Sequence, residues 1–312
     1  MSLALPSVAA IPPRGAELDD AYRHCWRIAT AHYENFSVGS WLLPKSLRRH
    51  MAALYAFART ADDIADEGDA SAADRLVRLR ACGEALDDCY RGRARDPIFV
   101  ALAHTTAEFD LPIDLFRRLL HAFEADVQFA PFETFEHLRD YCRCSADPVG
   151  QLVLHLFGYR DAQRQRLADR ICTGLQLANF WQDVAVDVRK GRVYFPLEDL
   201  RRFGCTAGQI GRGEFTDNFR RLMQFEVDRA RGLLTSGLQL GSLVERRLAR
   251  EVQLFAGGGL AILRAIEGLG YDVLRTRPTL LKRTKIRLIA GALLNPAVPN
   301  RGSVSARAPG PK

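Results

Sequence analysis

The sequence predicts an all-α protein with a single domain. Apolar residues recur at helical spacing along the middle of the chain, and short turns separate these stretches. Alternating, strand-like runs are nearly absent, and residues 193–195, which end at Pro196, form the one short candidate. Neither a break in composition nor a repeat of fixed period divides the middle of the chain. We therefore expect one helical domain at 17–294, between a flexible leader at 1–16 and a disordered basic tail at 295–312.

Residues that favour helix starts stand at several of the turns. Ser71 and Thr134 carry hydroxyl groups that can accept hydrogen bonds from the free N–H groups of a first helical turn. Pro44, Pro97 and Pro112 stand at other expected helix entries, where proline is tolerated because the first turn needs no N–H donor. These residues predict where individual helices begin.

The composition is typical of a globular protein. The 312 residues are 47% hydrophobic and 26% charged, and a chain of this length can bury a large core without a metal or a disulfide. The seven cysteines are scattered and include no Cys-x-x-Cys pair, which predicts neither a zinc site nor a disulfide framework. No run of eighteen apolar residues and no signal-peptide pattern occurs, so we expect a cytoplasmic protein.

The net charge of +7 favours an anionic partner, which could be a phosphorylated substrate, an acidic lipid surface or a nucleic acid. Arginines on solvated helix faces give the same charge without binding anything. The charge therefore does not choose among these partners, and the choice depends on the acidic motifs.

The first acidic segment, at 54–67, reads LYAFARTADDIADE. Its polar positions form what we call the first seam: Tyr55, Arg59, Asp62 and Asp66. They are separated by four, three and four residues, which places them on one stripe of a helix. Apolar residues fill most other positions, so we expect the helix to be buried. Carboxylates there are costly unless Arg59 or divalent cations neutralise them.

A second segment, at 171–187, repeats this arrangement. Its polar positions form the second seam: Gln176, Asn179, Asp183 and Asp187. Separations of three, four and four residues again predict one stripe on a mostly apolar helix. If the two seams face each other, their carboxylates form a cage for hard cations such as Mg²⁺. The loop that follows carries Lys190 and Arg192, whose charges could close over a diphosphate.

A solvated face is the alternative for either seam taken alone. Asp110 and Asp114 have the same spacing as Asp62 and Asp66, yet they bracket Pro112 in a turn and are interpreted as structural. Two apolar helices that each carry such a seam are much harder to explain by chance. The pair, rather than either spacing, predicts the metal site.

Carboxylates that hold Mg²⁺ on a diphosphate point to ionisation chemistry. The metal neutralises the charge of the departing diphosphate, and the carbocation left behind needs an apolar, aromatic enclosure. Five aromatic residues near the seams are candidates for that enclosure, although core packing is the favoured role for any one of them: Phe36, Tyr55, Phe57, Phe180 and Trp181.

These two motifs resemble the aspartate signatures of the squalene and phytoene synthase family, and the resemblance covers residues 21–288. It implies a single-domain isoprenoid synthase helical bundle with a central apolar cavity, and two or three Mg²⁺ ions that bridge to the substrate diphosphate. The implied metal ligands are Asp62, Asp63, Asp66, Asn179, Asp183 and Asp187. The implied catalytic residues are Tyr55, Arg59, Tyr141 and Gln176. The implied substrate-binding residues are His32, Asn35, Phe36, Gln182, Lys190, Arg192 and Tyr194.

Two positions are similar to the bacterial hydroxysqualene synthase branch of the family, which serves hopanoid pathways. Asn35 stands where other branches carry serine, and Gln182 stands where they carry arginine. This similarity implies a lyase that ionises presqualene diphosphate, rearranges the cation and adds water to give hydroxysqualene. We expect no nicotinamide cofactor, since no dinucleotide-binding fingerprint occurs.

Several alternatives stay open. The chain could instead be a presqualene diphosphate or phytoene synthase that joins two prenyl diphosphates head to head, or a non-catalytic relative that acts as a scaffold. Residues 280–289 mix basic and apolar side chains, so they could form an interfacial helix at the inner membrane surface or an ordinary packed helix. Partners would be the isoprenoid diphosphate and other enzymes of the pathway, and no nucleic acid. Gly257, Gly258 and Gly259 indicate either close helix packing or a wider pocket.

Overall fold

A computed structural model of the protein describes residues 15–31 and 43–280, together with residues 283, 284 and 288. The helices are α1 (Gly15–Ala31), α2 (Lys45–Asp66), α3 (Ala72–Tyr90), α4 (Pro97–Phe109), α5 (Ile113–Val127), α6 (Phe135–Ser145), α7 (Asp147–Leu156), α8 (Ala162–Arg189), α9 (Leu197–Phe203), α10 (Ala207–Gly211), α11 (Asp217–Gly237) and α12 (Arg246–Gly268), with a 3₁₀ helix at Leu238–Ser242 between the last two. The described residues contain no strand, so the prediction of an all-α, single-domain fold is confirmed. The strand candidate at 193–195 is wrong, because this stretch is a loop whose aromatic side chains pack against α8.

The predicted helix starts are found where the capping residues stand. The Ser71 hydroxyl accepts a hydrogen bond from the backbone N–H of Asp74 at 3.1 Å, and Thr134 does the same for His137 at 3.3 Å. The three prolines stand at helix entries, immediately before α2 and α5 and at the first turn of α4: Pro44, Pro112 and Pro97. These boundaries therefore agree with the local capping and proline preferences of the sequence.

Two apolar clusters make up the core. The first lies among α1 to α5 and the end of α7, and within it Phe57 packs edge-on against Phe99 and Phe116. The second surrounds α8, which packs against α7, α11 and α12 and buries Trp181 completely. Phe157 packs against both clusters, so the two halves share one interior.

Small residues let α11 and α12 approach α8 closely. A Cβ atom on Gly174 would lie 2.8 Å from Leu234, and one on Gly259 would lie 2.9 Å from the same side chain. Close packing is therefore the explanation for Gly259. Gly258 differs, because a Cβ atom there would meet nothing within 4 Å.

Some of the predicted features lie outside the described residues. These include His32, Asn35, Phe36, most of the 280–289 segment and the tail at 295–312. Helix α1 begins at Gly15, so the last two residues of the predicted leader are helical. All seven cysteines are free thiols. Among the helices described, none is long and apolar enough to cross a membrane.

Candidate active site

The first seam lies on one face of α2. Its four side chains are partly exposed, whereas the apolar positions around them, such as Ala61 and Ala65, are buried. Arg59 reaches along the helix to Asp63, with 2.5 Å between Nη2 and Oδ1, and to Asp62 at 3.4 Å. The arginine thus neutralises part of the negative charge that this face concentrates.

The second seam lies on α8 and is arranged in the same way. Asn179 is exposed and Gln176, Asp183 and Asp187 are partly exposed, in contrast to the buried residues between them, among them Leu177. Asp183 pairs with Arg277 from the segment after α12, where Nη2 lies 3.2 Å from Oδ2. Sequence reasoning missed Arg277, because nothing local indicates that a residue 94 positions away would reach this carboxylate.

The loop after α8 joins the two seams. Lys190 Nζ donates to Asp66 Oδ2 at 2.9 Å, and Arg192 Nη2 donates to Asp66 Oδ1 at 2.8 Å. Both cations follow directly after Asp187 and yet bind a carboxylate of α2. The structure therefore brings the C-terminal ends of both seams together.

We call Asp62, Asp63, Asp66, Asp183 and Asp187 the aspartate group. Its members differ in how the surroundings treat their charge. Burial would raise the pKa of Asp66, but the hydrogen bonds from Arg192 and Lys190 outweigh it and hold that pKa below its usual value. For Asp187, burial and the nearby charge of Asp183 raise the pKa to about 7. Burial and the charge of Asp66 likewise raise the pKa of Asp62.

Besides burial, which is the larger cause, the charges of neighbouring aspartates raise the pKa values of Asp62 and Asp187, which indicates a local surplus of negative charge. An all-oxygen donor set with such a surplus fits Mg²⁺, which binds through a few carboxylates and completes its shell with water and substrate phosphate. In the described part of the chain, one group of His, Cys, Asp or Glu residues has three ligand atoms that all lie within 4.8 Å of one another. This group is His50, His104 and Glu108, and it lies outside the aspartate group. The aspartate group is thus more open than a site made of protein ligands alone.

Asp126, at the end of α5, is a further carboxylate beside the site. Tyr141 donates to its Oδ1 and Oδ2, both at 2.9 Å, and Tyr194 donates to Oδ1 at 3.4 Å. Arg192 also donates to the backbone oxygen of Asp126 at 2.9 Å. Burial raises the pKa of this carboxyl to about 6, with the Tyr141 hydrogen bond acting in the opposite direction. Sequence reasoning missed Asp126, since it belongs to no spaced motif.

Aromatic rings form a wall next to these carboxylates. Phe180 and Tyr194 stack with centroids 3.8 Å apart, and Tyr141 lies 6.1 Å from Phe180. The structure places the predicted residues Tyr141 and Tyr194 together here. Trp181 and Phe57 are core residues instead, because each is almost completely buried among other aromatic rings.

Gln182 does not share the surroundings of the aspartate group. Its side chain is buried, and Nε2 donates to the backbone oxygen of Pro278 at 2.7 Å. This bond ties α8 to the segment after α12. The amide N–H of Gln182 is thus used in a hydrogen bond within the protein, and the predicted contact of Gln182 with substrate stays a prediction.

An apolar cavity of about 320 Å³ lies beside the first seam. It is lined by α2, α7, α8, α12 and neighbouring residues, and Tyr55 belongs both to this lining and to the seam. The charges of Arg59, Asp62 and Asp63 influence the pKa of the Tyr55 hydroxyl, although burial is the main cause that raises it. A wider depression of about 1200 Å³ lies against α1, away from the aspartate group. Through Tyr55, the 320 Å³ cavity adjoins the first seam of the aspartates.

Comparison with known proteins identifies relatives along most of the chain. The family model for squalene/phytoene synthase matches residues 29–284. A phytoene synthase from Mycobacterium tuberculosis is 31% identical over 283 residues, covering 89% of this chain and 92% of the relative. A 15-cis-phytoene synthase from Synechococcus elongatus is 29% identical and covers 94% of this chain and 99% of its own length.

Two solved structures share the fold. Squalene synthase HpnC from Alicyclobacillus acidocaldarius is 44% identical with a TM-score of 0.78, and the match covers 85% of this chain and 99% of that one. A dehydrosqualene synthase solved with a ligand has a TM-score of 0.81 at 24% identity, covering 89% of this chain and 97% of its own, which supports the fold alone. On the family match and these similarities, the chain belongs to the squalene/phytoene synthase family.

Proposed function

We propose that this protein ionises presqualene diphosphate with the help of Mg²⁺, rearranges the resulting cation and adds water to give hydroxysqualene and diphosphate. The observation that carries this proposal is the junction at Tyr55, where Asp62 and Asp63 of the aspartate group adjoin an apolar cavity. A diphosphate needs the first environment and an isoprenoid chain needs the second. One substrate with both parts fits the junction.

The carboxylates of the two seams would hold the metal, with Asn179 as a further oxygen ligand. Bound Mg²⁺ supplies electrostatic stabilisation of the departing diphosphate. Lys190 and Arg192 already reach across to Asp66, so their N–H groups stand where they can also donate to diphosphate oxygens. Arg59 would position the diphosphate by the same kind of contact from α2.

The cavity has the opposite task of excluding bulk water. Its lining is mostly aliphatic, with Leu175, Leu248 and Phe255 among the residues that would contact the hydrocarbon chain. The ring of Tyr55 belongs to this lining and can stabilise a cation by contact with its electron density. A carbocation formed at the junction would therefore survive long enough to rearrange.

Three observations favour the squalene-type branch with water as the final reactant. Identity to squalene synthase HpnC is 44%, against 31% to the phytoene synthase of M. tuberculosis. The residues Asn35 and Gln182 also match the hydroxysqualene branch, and no nicotinamide fingerprint occurs to supply a hydride.

Head-to-head synthesis of phytoene or presqualene diphosphate is the second candidate, and the names of the curated relatives support phytoene synthesis. A scaffold role is less well supported, because a protein without chemistry has no reason to retain carboxylates whose pKa values are raised by burial.

Product analysis tests the proposal directly. The purified protein is incubated with farnesyl, geranylgeranyl or presqualene diphosphate, with Mg²⁺ or with a chelator, and without a nicotinamide. We expect an isoprenoid alcohol and diphosphate from presqualene diphosphate only when Mg²⁺ is present. Consumption of the first two substrates without the third would contradict the proposal, and turnover in the chelator would contradict the metal site.

We further propose that the protein acts at a membrane surface, because its substrate and product are lipids. The 280–289 segment, which lies largely outside the described residues, carries the basic and apolar side chains that such a contact needs. Co-sedimentation with anionic vesicles tests this. Protein that stays in the supernatant at every lipid concentration would contradict it.

A further inference from the structure

Glu251 is an unusual residue to find in the wall of an apolar cavity. It lies on α12, and its side chain lines the 320 Å³ cavity together with aliphatic residues of four other helical segments. Only 4% of the residue is exposed. Among the described residues, no donor reaches either of its carboxylate oxygens. A buried carboxyl with two unsatisfied oxygens therefore faces a space that a ligand can fill.

The rest of this helix face is what a hydrocarbon pocket requires. Leu248, Val252 and Phe255 flank Glu251 at helical spacing and line the same cavity. A leucine at position 251 would complete an apolar surface and would avoid the cost of burying a carboxyl. The glutamate is thus not explained by packing.

A second buried glutamate shows how this protein treats a structural carboxylate. Glu226 is fully buried on α11, and Arg229 Nη1 donates to its two oxygens at 3.0 and 2.9 Å. Glu226 therefore has the partner that a buried charge needs. Glu251 lacks one, and burial is the single cause that raises its pKa, to about 8.

We propose that Glu251 is the catalytic residue that holds the water molecule inside the cavity and accepts its proton when that water captures the carbocation. The inference rests on the function proposed above and adds the group that handles the proton. A carboxylate in an apolar cavity can bind one water and can do so beside the reacting carbon. No other carboxylate among the described residues lines this cavity.

The step balances with Glu251 as the base. The carbon–oxygen bond to diphosphate breaks first, and diphosphate leaves with the electron pair. A lone pair of the held water then forms the new carbon–oxygen bond to the cation. The protonated alcohol gives its proton to the Glu251 carboxylate, which becomes a carboxylic acid and later releases that proton to solvent. A positive charge in the cavity favours the ionised form of Glu251 when the base is needed.

The test separates ionisation from water capture. Diphosphate release reports ionisation, and the alcohol reports capture, both from presqualene diphosphate with Mg²⁺. Glu251→Gln keeps the shape of the side chain and removes the base. We expect diphosphate release to stay within a few-fold of wild type, while alcohol formation falls about 10²-fold and elimination products take its place. Glu251→Leu, which needs no buried polar group, should give the same product shift if the glutamine variant folds poorly.

Glu267→Gln is the matched control. It makes the same chemical change on the same helix, at a residue outside the cavity that pairs with Arg231. It should leave both products unchanged. Unaltered alcohol formation in both Glu251 variants would overturn the inference, and so would an equal fall in diphosphate and alcohol, because Glu251 would then act before capture. A wild-type protein that forms no alcohol would instead contradict the proposed function.

Discussion

Carboxyl groups have opposite surroundings in the aspartate group and in the apolar cavity. At the aspartate group, carboxylates are collected together and supplied with cations, as where Lys190 and Arg192 both bind Asp66. In the cavity, Glu251 stands alone among aliphatic side chains. Among the described residues, Tyr55 links the two places, because it belongs to the first seam and also lines the cavity.

The difference shows which charge each region is suited to receive. The aspartate group keeps its carboxylates near solvent and opposite one another, an arrangement that favours small, highly charged cations. The cavity has a mostly apolar lining with a single carboxyl among the described residues, which suits a diffuse positive charge and one water. The diphosphate of the substrate would therefore bind at the aspartate group, and its hydrocarbon chain would bind in the cavity.

Replacing a carboxylate of the aspartate group should have the largest effect. Asp66→Asn removes the charge that Lys190 and Arg192 bind, and in the proposed function it also removes a metal ligand. We expect diphosphate release to fall by about 10²–10³-fold, in line with the loss of one group that stabilises charge in a transition state. The measurement is the rate of diphosphate release across a Mg²⁺ titration.

Asp114→Asn is the control for this change. Asp110 and Asp114 have the spacing of Asp62 and Asp66, but Asp114 is exposed in the first turn of α5. Its replacement should leave the rate unchanged. Full activity in Asp66→Asn would remove the distinction between the two regions, because the aspartate group would then be a solvated face.

Removing one cation of the joining loop should have a smaller effect. Arg192→Gln loses the hydrogen bond to Asp66 and the one to the Asp126 backbone, while Lys190 keeps its own. A hydrogen bond to a charged group contributes about 1.5–3 kcal/mol, so kcat/KM should fall about 10- to 100-fold. Arg93→Gln, which breaks an exposed pair with Asp88, serves as the control. Equal losses in both variants would indicate a general charge effect.

The sequence was sufficient to predict the features that depend on local residue spacing, namely the two seams and the helix starts. Both seams follow from spacings of three and four residues, and helix starts such as Thr134 follow from capping chemistry. It was not sufficient for Arg277 or Asp126, whose partners are brought to them by packing between distant helices. The strand prediction at 193–195 was wrong for the same reason, because the apolar residues of this loop pack against α8 and form no sheet.

The pH dependence of folding should also separate the two regions. Burial raises the pKa of Glu251 from 4.5 to about 8, so the folded state holds a proton that the unfolded chain has released in this range. The contribution of Glu251 to stability is therefore complete below pH 4.5 and is lost as the pH rises to about 8. The slope is at most about 1.4 kcal/mol per pH unit. Glu251→Gln should remove this dependence of the free energy of unfolding on pH.

Denaturant unfolding of wild type and Glu251→Gln between pH 4.5 and 8.5 measures this difference. The free energies of unfolding should converge or cross as the pH rises, with the variant gaining relative to wild type. Asp66 has a lowered pKa and should show the opposite sign, with stability lost as the pH falls through its folded pKa. Parallel curves for wild type and Glu251→Gln would mean that Glu251 is hydrated or paired in solution.

The pKa of Asp126 lies between the lowered pKa of Asp66 and the raised pKa of Glu251, and replacement of its partner Tyr141 gives the smallest predicted effect. Burial raises its pKa to about 6, and the Tyr141 hydroxyl, which donates at 2.9 Å to each oxygen, counters that rise. Tyr141→Phe should therefore move the pKa of Asp126 above 6 and cost about 1 kcal/mol, the usual net value of one hydrogen bond. Carboxyl carbon chemical shifts of Asp126 across a pH titration measure the change. A pKa that stays at about 6 in the variant would show that Arg192, rather than Tyr141, keeps this carboxyl ionised, and Asp126 would then belong with the cation-supplied carboxylates of the aspartate group.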